Sequence, residues 1–429
     1  MASKGFALRV VEARNKRAVA ALLSPARRRD VVTERRVATI VDNVRSQGDR
    51  ALTRYAKKFD RLDLPIEISR DEMKAAAAKV PRDVRAALRT AARHIRAVAR
   101  RQVPKGWRVT VASGIVVEQR VRPLDRVGCY VPGGRYPLPS SLLMTAIPAV
   151  AAGVPDVIAV CPRPEASVMA AAIEAGISRL FRVGGAHAVA ALAYGTETIP
   201  RVDKIVGPGN RFVATAKSLV TADCGIDFYA GPSEIVIVTT RGRADWIAAD
   251  LIAQAEHDPD ARAVLITPNA TLAARVARAV AKQMPSDGPA RASLTAHGGI
   301  IVTASLDEAI DLANDAAPEH LVVDDDRTAA RIRCAGSLFV GPWSAQVAGD
   351  YALGSNHVLP TSGAARARGG LSAADFVRQI TVQRVTERGL RRIGGTVTTL
   401  AETEGLSAHA ASVAIRLGSR STSPAGQVS

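Results

Sequence analysis

Between residues 140 and 345, short apolar runs alternate with Ala-rich helical segments. This alternation constrains the fold most strongly, because a strand, a helix and another strand in succession are the pattern of βαβ units in a mostly parallel sheet. The runs are too numerous for one compact sheet, so the sequence predicts an α/β fold with two sheet domains. The runs interpreted as strands are DVIAVCP, RLFRVGG, KIVGPG, EIVIVTT, AVLITP, GIIVTA and SLFV.

The segments on either side of this region are predicted to be mainly helical. Apolar residues recur at helical spacing from Val37 to Val44, Ser69 begins a capping box, and Pro81 starts a further helix. The alternating runs WRVTV and GIVVEQRV predict strands after Gly106. The predicted boundaries are 1–125 for a helical N-terminal region leading into the first α/β domain, 126–235 for that domain, 236–371 for a second α/β domain that packs with part of 26–125, 372–418 for a helical C-terminal segment, and 419–429 for a disordered tail.

The net charge of +18 is concentrated at one end of the chain. Residues 1–108 contain 28 Lys and Arg against 11 Asp and Glu, whereas the remainder is nearly balanced, with 30 against 29. Aromatic residues are few and no zinc-finger or RNP-like run occurs. A basic solvated surface is therefore favoured, and nucleic-acid binding stays open as a function of a different class.

The four cysteines, at positions 129, 161, 224 and 334, show no CxxC spacing. This pattern is typical of reduced thiols and argues against a disulfide framework or a thiolate zinc site. No apolar run approaches the roughly 18 residues of a membrane span, and the N-terminal sequence lacks the features of a secretory signal. We therefore expect a cytoplasmic protein without a membrane partner.

Four Gly-rich turns follow predicted strands, where open α/β sheets bind their ligands. None of them has the GxGxxG pattern of an ordinary dinucleotide site. Each turn alone is a weak signal, but together they predict a phosphate-bearing ligand that rests on backbone amides and helix N-termini. The turns are CYVPGGR at 129–135, RVGGAH at 182–187, IVGPGN at 205–210 and YAGPSE at 229–234.

The stretch AQAEHDP ends a predicted apolar helix with polar residues. Gln254 and His257 lie three positions apart and so share a helix face, whereas Glu256 points elsewhere. They are either half of a metal site or the solvated last turn of a helix, and spacing does not separate the two readings. Three more histidines stand near carboxylates and are candidate ligands or proton carriers, with a structural hydrogen-bonded role as the alternative: His320 after Glu319, His357 after Asp350, and His409 after Glu404.

The chain contains the motifs YVPGG, VGGA followed by AVAALAYGTE, VDKIVGPGN, AGPSE, AQAEH, PEHL, GDYALGSNHVLPT and LSAH. Together these motifs resemble the histidinol dehydrogenase family from about residue 25 to 418. The resemblance implies two Rossmann-like parallel-sheet domains, a helical N-terminal region and a small helical C-terminal domain. It also implies NAD-dependent oxidation of L-histidinol through L-histidinal to L-histidine, the last steps of histidine biosynthesis.

The resemblance also assigns roles to individual residues of this chain. It implies that His320 is the base for alcohol oxidation and that Glu319 activates water for aldehyde oxidation. The implied zinc ligands are Gln254, His257, Asp350 and His409. The implied substrate contacts are these four residues with Ser233, His320 and Glu404. The implied NAD contacts are Tyr130, Asn210 and His187, which stands where the family usually has glutamine.

The resemblance further implies a homodimer in which the C-terminal segment, with Glu404 and His409, reaches into the partner's site. Three alternatives remain. Cys129 is a rival route for aldehyde oxidation through a thiohemiacetal. The substrate is alternatively another small primary alcohol, although Glu404 favours a substrate with an ammonium group. A zinc hydrolase is a weaker reading, because the sequence has no HExxH motif.

Overall fold

Parallel strands and the helices between them make up most of the computed structural model, which describes residues 6–23, 30–133, 136–229 and 231–418. The predicted α/β class is confirmed, and the predicted tail 419–429 lies outside the described residues. The strands are β1 (Val10–Glu12), β2 (Glu67–Ile68), β3 (Trp107–Ala112), β4 (Ile115–Pro123), β5 (Arg126–Tyr130), β6 (Asp156–Val160), β7 (Arg179–Phe181), β8 (Lys204–Val206), β9 (Gly225–Ile226), β10 (Glu234–Val238), β11 (Arg262–Thr267), β12 (Gly299–Val302), β13 (His320–Val323), β14 (Ser337–Val340) and β15 (Val377–Val385). The helices are α1 (Lys16–Leu23), α2 (Val31–Tyr55), α3 (Arg70–Ala78), α4 (Arg82–Gln102), α5 (Pro139–Ala151), α6 (Ala166–Ala175), α7 (Gly185–Tyr194), α8 (Arg211–Leu219), α9 (Ala244–Ala255), α10 (Ala270–Gln283), α11 (Ala290–His297), α12 (Leu306–Ala316), α13 (Asp326–Ala329), α14 (Gln346–Tyr351), α15 (Glu387–Thr403) and α16 (Ser407–Ala414).

The first sheet contains six strands in the order β2-β7-β6-β5-β8-β9. All of its neighbours are parallel except β2, which pairs antiparallel with β7. The chain moves outward from β5 through β6 to β7 and then returns to β8 on the other side of β5. The strand order therefore reverses between β5 and β8, the point at which open α/β sheets bind ligands beyond their carboxyl ends.

The second sheet is fully parallel, in the order β1-β12-β11-β10-β13-β14, and reverses between β10 and β13. Each of the seven predicted strand runs contains a strand of one of the two sheets. Strand β1 corrects the expectation of a purely helical N-terminal region. Three residues are too few for periodicity to indicate a strand, and the register partner of Val10 is the distant Ile300.

Helix α2 shows why the predicted N-terminal helical stripe forms. Val37, Val41 and Val44 are buried in the core of the first sheet, beside the strand residue Ile158. Each such side chain contributes roughly 1.5–3 kcal/mol when it is removed from water. The helix continues directly into a π-helical turn, Ala56–Asp60, whose last residue is buried.

The chain divides into two compact units, and both parallel sheets belong to the unit Met1–Gln102 and Leu124–Phe376. The second unit, Val103–Pro123 and Val377–Ser429, contains a three-stranded antiparallel sheet in the order β15-β4-β3, followed by α15 and α16. Strands β3 and β4 confirm the predicted strands after Gly106. Strand β15 differs from the helical segment expected there, because its register partner β4 lies far earlier in the chain. No helix in the described part of the chain has the length and apolar character needed to cross a membrane.

Candidate active site

A cluster of buried polar side chains lies at the amino ends of β10 and β13. Ser233 directly precedes β10 and Glu319 directly precedes β13, and these strands are neighbours in the second sheet. Helix α9 connects β10 to β11 and so runs back to the amino edge of the sheet, which brings its last turn, with Gln254, to the same place. This location corrects the expectation that polar chemistry follows the carboxyl ends of the strands.

Glu319 is held by two donors. Its Oε2 accepts hydrogen bonds from Ser233 Oγ at 2.6 Å and from the backbone N–H of Glu234 at 2.7 Å. Burial disfavours the ionised carboxylate and raises the pKa of Glu319 to about 8. A carboxyl group with a pKa near neutral pH both takes up and releases protons easily, which suits a general base.

His320 is buried beside Glu319 with a defined tautomer. Its Nδ1 lies 3.1 Å from the backbone carbonyl oxygen of Glu234. A carbonyl oxygen only accepts, so the hydrogen bond assigns the proton to Nδ1 and leaves a lone pair on Nε2. Burial lowers the pKa of the His320 imidazole below its ordinary value. The ring is therefore a neutral base, and its Nε2 lies 3.9 Å from Asp350 Oδ1.

Gln254 contributes an amide oxygen that has no hydrogen-bond partner among the described residues. Its Nε2 donates to Ser233 Oγ at 2.6 Å, and Ser233 in turn donates to Glu319. Gln254 is completely buried, and among the described residues no group donates to its Oε1. An unsatisfied buried acceptor costs about 1–3 kcal/mol, so this oxygen is placed to accept from a ligand or a cation.

Asp350 on α14 joins the cluster from another direction. Its Oδ2 accepts from Gln346 Nε2 at 3.0 Å, while its Oδ1 lies 3.9 Å from His320 Nε2 and 4.0 Å from His357 Nδ1. The Nδ1 of His357 donates to the backbone carbonyl of Asp350 at 3.0 Å. Burial lowers the pKa of His357 below its ordinary value. The cluster thus combines the buried imidazole of His320 and the partly buried imidazole of His357 with two carboxyl groups.

His257 follows the end of α9 and is exposed. Its Nδ1 lies 3.2 Å from the carbonyl oxygen of Ala253, and this hydrogen bond assigns the proton to Nδ1 and the lone pair to Nε2. His257 lies close enough to the cluster to lower the pKa values of both Glu319 and His320 electrostatically. The adjacent Glu256 is exposed and is the C-cap residue of the helix.

At the carboxyl edge of the first sheet, backbone amides of the Gly-rich turns already have partners. Gly184 N–H donates to Asp60 Oδ2 at 2.9 Å, and Gly185 N–H donates to the hydroxyl of Tyr130 at 2.9 Å. In the neighbouring turn, Gly207 N–H donates to Asp227 Oδ2 at 2.8 Å. These amides are not available to a phosphate, which corrects the predicted phosphate cradle at these three positions.

Two further turns are satisfied in the same way. Asn210 caps α8 through its Oδ1, which accepts from Phe212 N–H at 3.0 Å and Val213 N–H at 3.2 Å. Gly231 N–H donates to Thr361 Oγ1 at 2.5 Å. The backbone amides named in these turns are therefore bonded within the protein.

Comparisons with known proteins place the chain in a family. The family model described as histidinol dehydrogenase matches residues 24–417. The histidinol dehydrogenase of Methanothermobacter thermautotrophicus is 48% identical over 89% of this chain and 92% of that protein, and that of Dechloromonas aromatica is 44% identical over 96% and 98%. The crystal structure of histidinol dehydrogenase from Elizabethkingia anophelis matches with a TM-score of 0.90 and 34% identity, covering 96% of this chain and 98% of that one.

The chain belongs to the histidinol dehydrogenase family. It is therefore an oxidoreductase of histidine biosynthesis that depends on a nicotinamide cofactor. This finding decides between the classes of function that the sequence left open, because nucleic-acid binding and metal-dependent hydrolysis are not activities of a dehydrogenase. The two parallel-sheet domains of the predicted fold are also confirmed.

The residues at the amino edge of the second sheet fit the metal ion that the family resemblance implies. In the described parts of the chain, no group of three or more His, Cys, Asp or Glu side chains is arranged to hold a metal ion. An amide ligand is not such a side chain, however, and the partnerless Oε1 of Gln254 has the donor chemistry that a zinc ion accepts. Together with His257 and Asp350 it forms a set of oxygen and nitrogen donors without thiolate.

Glu404 and His409, the other predicted site residues, belong to the second unit. Glu404 is the C-cap residue of α15, His409 lies in α16, and both are exposed. Within the first unit, the structure brings five predicted residues into one cluster, with His257 close to it. The five are Ser233, Gln254, Glu319, His320 and Asp350.

The three predicted NAD contacts differ in accessibility. Asn210 is exposed, whereas Tyr130 and His187 are buried, and the Nε2 of His187 lies 2.8 Å from Asp60 Oδ2. Direct contact of His187 with a cofactor stays a prediction. The rival nucleophile Cys129 is fully buried in β5, and burial raises the pKa of its thiol to about 12, so it carries almost no thiolate near neutral pH.

Sequence reasoning missed several residues that position the site. Glu234 supplies the carbonyl that orients His320, and its own side chain is paired with Arg262 in the interior. A charged residue opening the apolar strand EIVIV was the available signal. Gln346, which holds Asp350, gave no signal in the sequence, because nothing local distinguishes it from a surface glutamine.

Proposed function

We propose that this protein oxidises L-histidinol through L-histidinal to L-histidine and reduces two NAD⁺ in succession. The observation that carries this proposal is the buried pair Glu319 and His320. Burial shifts the pKa values of the two groups in opposite directions, upward for the acid and downward for the imidazole. His320, kept neutral by burial, accepts a proton near neutral pH, whereas Glu319 accepts one only in its ionised form, whose fraction grows as the pH approaches the pKa of about 8. The two oxidations each require one acceptor.

In the alcohol step, His320 takes the proton of the substrate hydroxyl. The lone pair on Nε2 is available because Nδ1 is bonded to the Glu234 carbonyl. As the O–H bond breaks, the electron pair forms the carbonyl and the hydride leaves the same carbon. The products are the aldehyde, one reduced cofactor and one proton on His320.

In the aldehyde step, Glu319 takes a proton from water as the water adds to the carbonyl carbon. The resulting gem-diol monoanion loses a second hydride and becomes the carboxylic acid, and the proton taken from the water stays on Glu319. Ser233 and the Glu234 amide hold Glu319 Oε2 at 2.6 and 2.7 Å, so the carboxyl group has a fixed direction. Fixed placement of the base is the main contribution of these two donors.

Gln254, His257, Asp350 and His409 are the proposed ligands of a zinc ion, and with Ser233, His320 and Glu404 they are the proposed substrate contacts. When bound, NAD⁺ accepts the hydride and zinc supplies Lewis acidity that holds and polarises the substrate. Support for the zinc proposal comes from the buried, partnerless amide oxygen of Gln254. Glu404 is proposed to pair with the ammonium group of the substrate.

NAD is proposed to bind at the carboxyl edge of the first sheet, beside the turns that carry Tyr130, His187 and Asn210. The support is the reversal of strand order between β5 and β8 at this edge. The rigid, internally satisfied turns offer a surface that is already shaped for the cofactor.

We further propose a cytoplasmic homodimer in which Glu404 and His409 complete the site of the partner subunit. An inactive His320 variant mixed with an inactive His409 variant then forms heterodimers with one intact site. Recovery of activity in heterodimers confirmed by mass is the expected result. Absence of recovery would contradict the shared site.

One experiment tests the reaction and the metal together. NADH formation is followed with L-histidinol before chelation, after chelation and after zinc is returned, and histidine is identified as the product. We expect two NADH per histidinol, loss of activity on chelation and recovery with zinc. Activity that is insensitive to the chelator would contradict the zinc proposal, and preference for another small primary alcohol would contradict the substrate.

A further inference from the structure

Asp60 and His187 form a buried pair behind one of the Gly-rich turns of the first sheet. We propose that both are positioning residues for the turn Val183–Ala186, and that through this turn they set the affinity for NAD. The inference rests on the proposed binding of NAD at this edge of the sheet. It assigns His187 an indirect role and adds Asp60 as a residue that supports cofactor binding.

The local backbone conformation positions Asp60. It is the last residue of the π-helical turn Ala56–Asp60, and Arg61 immediately after it adopts the left-handed conformation, with φ of 56°. Asp60 is only 7% exposed. A π-helical turn is an unusual local structure that occurs frequently at functional sites. Here it delivers a carboxylate into the interior of the first sheet domain.

The carboxylate of Asp60 connects two points of the next structural element. Its Oδ2 accepts from Gly184 N–H at 2.9 Å and lies 2.8 Å from Nε2 of His187. Gly184 is the N-cap residue of α7 and His187 lies in the first turn of that helix. Asp60 therefore supplies, from 124 residues away in the chain, the negative partner that helix N-termini favour.

The turn that Asp60 contacts is sterically and conformationally restricted. A side chain at Gly184 would collide with Pro162, which follows β6, and Gly185 has φ of 59°. The neighbouring Gly185 N–H is bonded to the hydroxyl of Tyr130 at the end of β5. The turn is thus tied to the ends of β5 and β6 and to Asp60, and release of the Asp60 contact removes one of its anchors.

The imidazole ring of His187 is not accessible to a ligand from solvent. It is 1% exposed, and the rings of Tyr55 and Phe59 pack on it, each with a centroid distance of 6.1 Å. Because a carboxylate only accepts, the Nε2 of His187 donates to Asp60. The histidine therefore acts on the turn by holding Asp60, and any side chain with an N–H at that point serves the same purpose.

The test compares Asp60→Ala, His187→Leu, His187→Gln and the double variant Asp60→Ala/His187→Leu, with Asp63→Asn as the control at an exposed carboxylate nearby. The Michaelis constant for NAD⁺ and kcat are measured at saturating histidinol. Direct binding of NADH is followed by fluorescence, and the unfolding temperature checks the fold.

Loss of one hydrogen bond to a charged group is expected to raise KM for NAD⁺ about 10-fold or more in Asp60→Ala and His187→Leu. Their kcat changes less than about threefold, because Glu319 and His320 lie on the other sheet. Gln retains an N–H donor, so KM in His187→Gln rises much less than in His187→Leu. The double variant is no worse than the poorer single variant, because both act through one turn. If Asp60→Ala does not fold, Asp60→Asn, which keeps one acceptor, takes its place with a smaller rise in KM.

An unchanged KM and NADH affinity in Asp60→Ala or Asp60→Asn would overturn the inference. Multiplying effects of Asp60→Ala and His187→Leu would overturn it too, since this result means that His187 contacts the cofactor independently. Failure of the proposed function is a different observation. In that case the unaltered protein itself fails to form NADH from histidinol.

Discussion

The carboxyl edge of the first sheet and the amino edge of the second sheet differ in whether their polar groups have hydrogen-bond partners within the protein. At the first edge, amides of Gly184, Gly185 and Gly207 are all bonded within the protein. At the second edge, the buried Gln254 Oε1 has no partner within the described parts of the chain, and Glu319 has a strongly raised pKa. Both sheets have the same reversing strand order.

The difference teaches that topology alone does not locate chemistry in this fold. An edge whose polar groups are all hydrogen-bonded within the protein has a surface that is formed before the ligand arrives. Such a surface suits a large cofactor that binds and dissociates in each turnover. An edge with an unsatisfied acceptor and perturbed pKa values destabilises the free protein, and a bound ligand that satisfies these groups offsets the destabilisation. The four predictions below, from the largest expected effect to the smallest, test this division of roles.

The largest effect is expected where the unmet acceptor is proposed to meet a metal ion. His257→Ala and His409→Ala each remove one of the four proposed ligands, so zinc affinity is expected to fall by more than the roughly 10–100-fold that loss of an outer-shell partner causes. Turnover nearly disappears while the protein stays folded. Zinc per subunit is measured by elemental analysis, with His297→Ala as the control. Full zinc occupancy in either variant would contradict the proposed metal site at the amino edge of the second sheet.

The next effect separates the two bases at the second edge. Glu319→Gln is nearly isosteric and is expected to slow oxidation of histidinal about 10²–10⁴-fold, whereas the first hydride transfer from histidinol continues. NADH then appears in a first phase of one per site, and His320→Asn impairs alcohol oxidation instead. Rapid-mixing measurement of both half-reactions, with zinc content checked, decides the matter. Equal slowing of both steps by Glu319→Gln would replace the division of labour with a shared role.

The satisfied edge predicts an effect on stability and not on chemistry. Lys217 and Asp227 form a buried ion pair that holds the turn at Gly207, and both are almost completely buried. Lys217→Met leaves Asp227 uncompensated and is expected to reduce the free energy of unfolding by about 3–5 kcal/mol. Arg211→Met, in the same helix but in an exposed pair, is the control and changes stability little. The free energies of unfolding of the two variants are measured by denaturant unfolding. Equal values would refute the prediction that the buried pair stabilises this edge.

The smallest effect is expected at Cys129, on the satisfied side. Its thiol has a pKa of about 12 because of burial, so alkylation at pH 8 by iodoacetamide should not reach it. Cys129→Ala is expected to retain both oxidations. Selective loss of histidinal oxidation in this variant, with alcohol oxidation intact, would restore the thiohemiacetal route.

Much of the fold was readable from local patterns. The strand runs of both sheets and the buried stripe of α2 follow from periodicities that span only a few residues. Strands β1 and β15 were missed because their pairing partners, β12 and β4, are remote in the chain. A short or polar strand gains its stability from its neighbour, and sequence windows do not contain that neighbour.

The sequence by itself determined the α/β class, the Gly-rich turns and the residues whose motifs carry the family resemblance, because each of these is a property of adjacent positions. Only the tertiary structure decided that the polar cluster lies at the amino edge of the second sheet, and that Gln254 Oε1 has no partner while Gly184 N–H has one. The physical reason is distance along the chain. Asp60 and Gly184 are 124 positions apart, and whether a polar group is satisfied depends on the groups that folding brings to it.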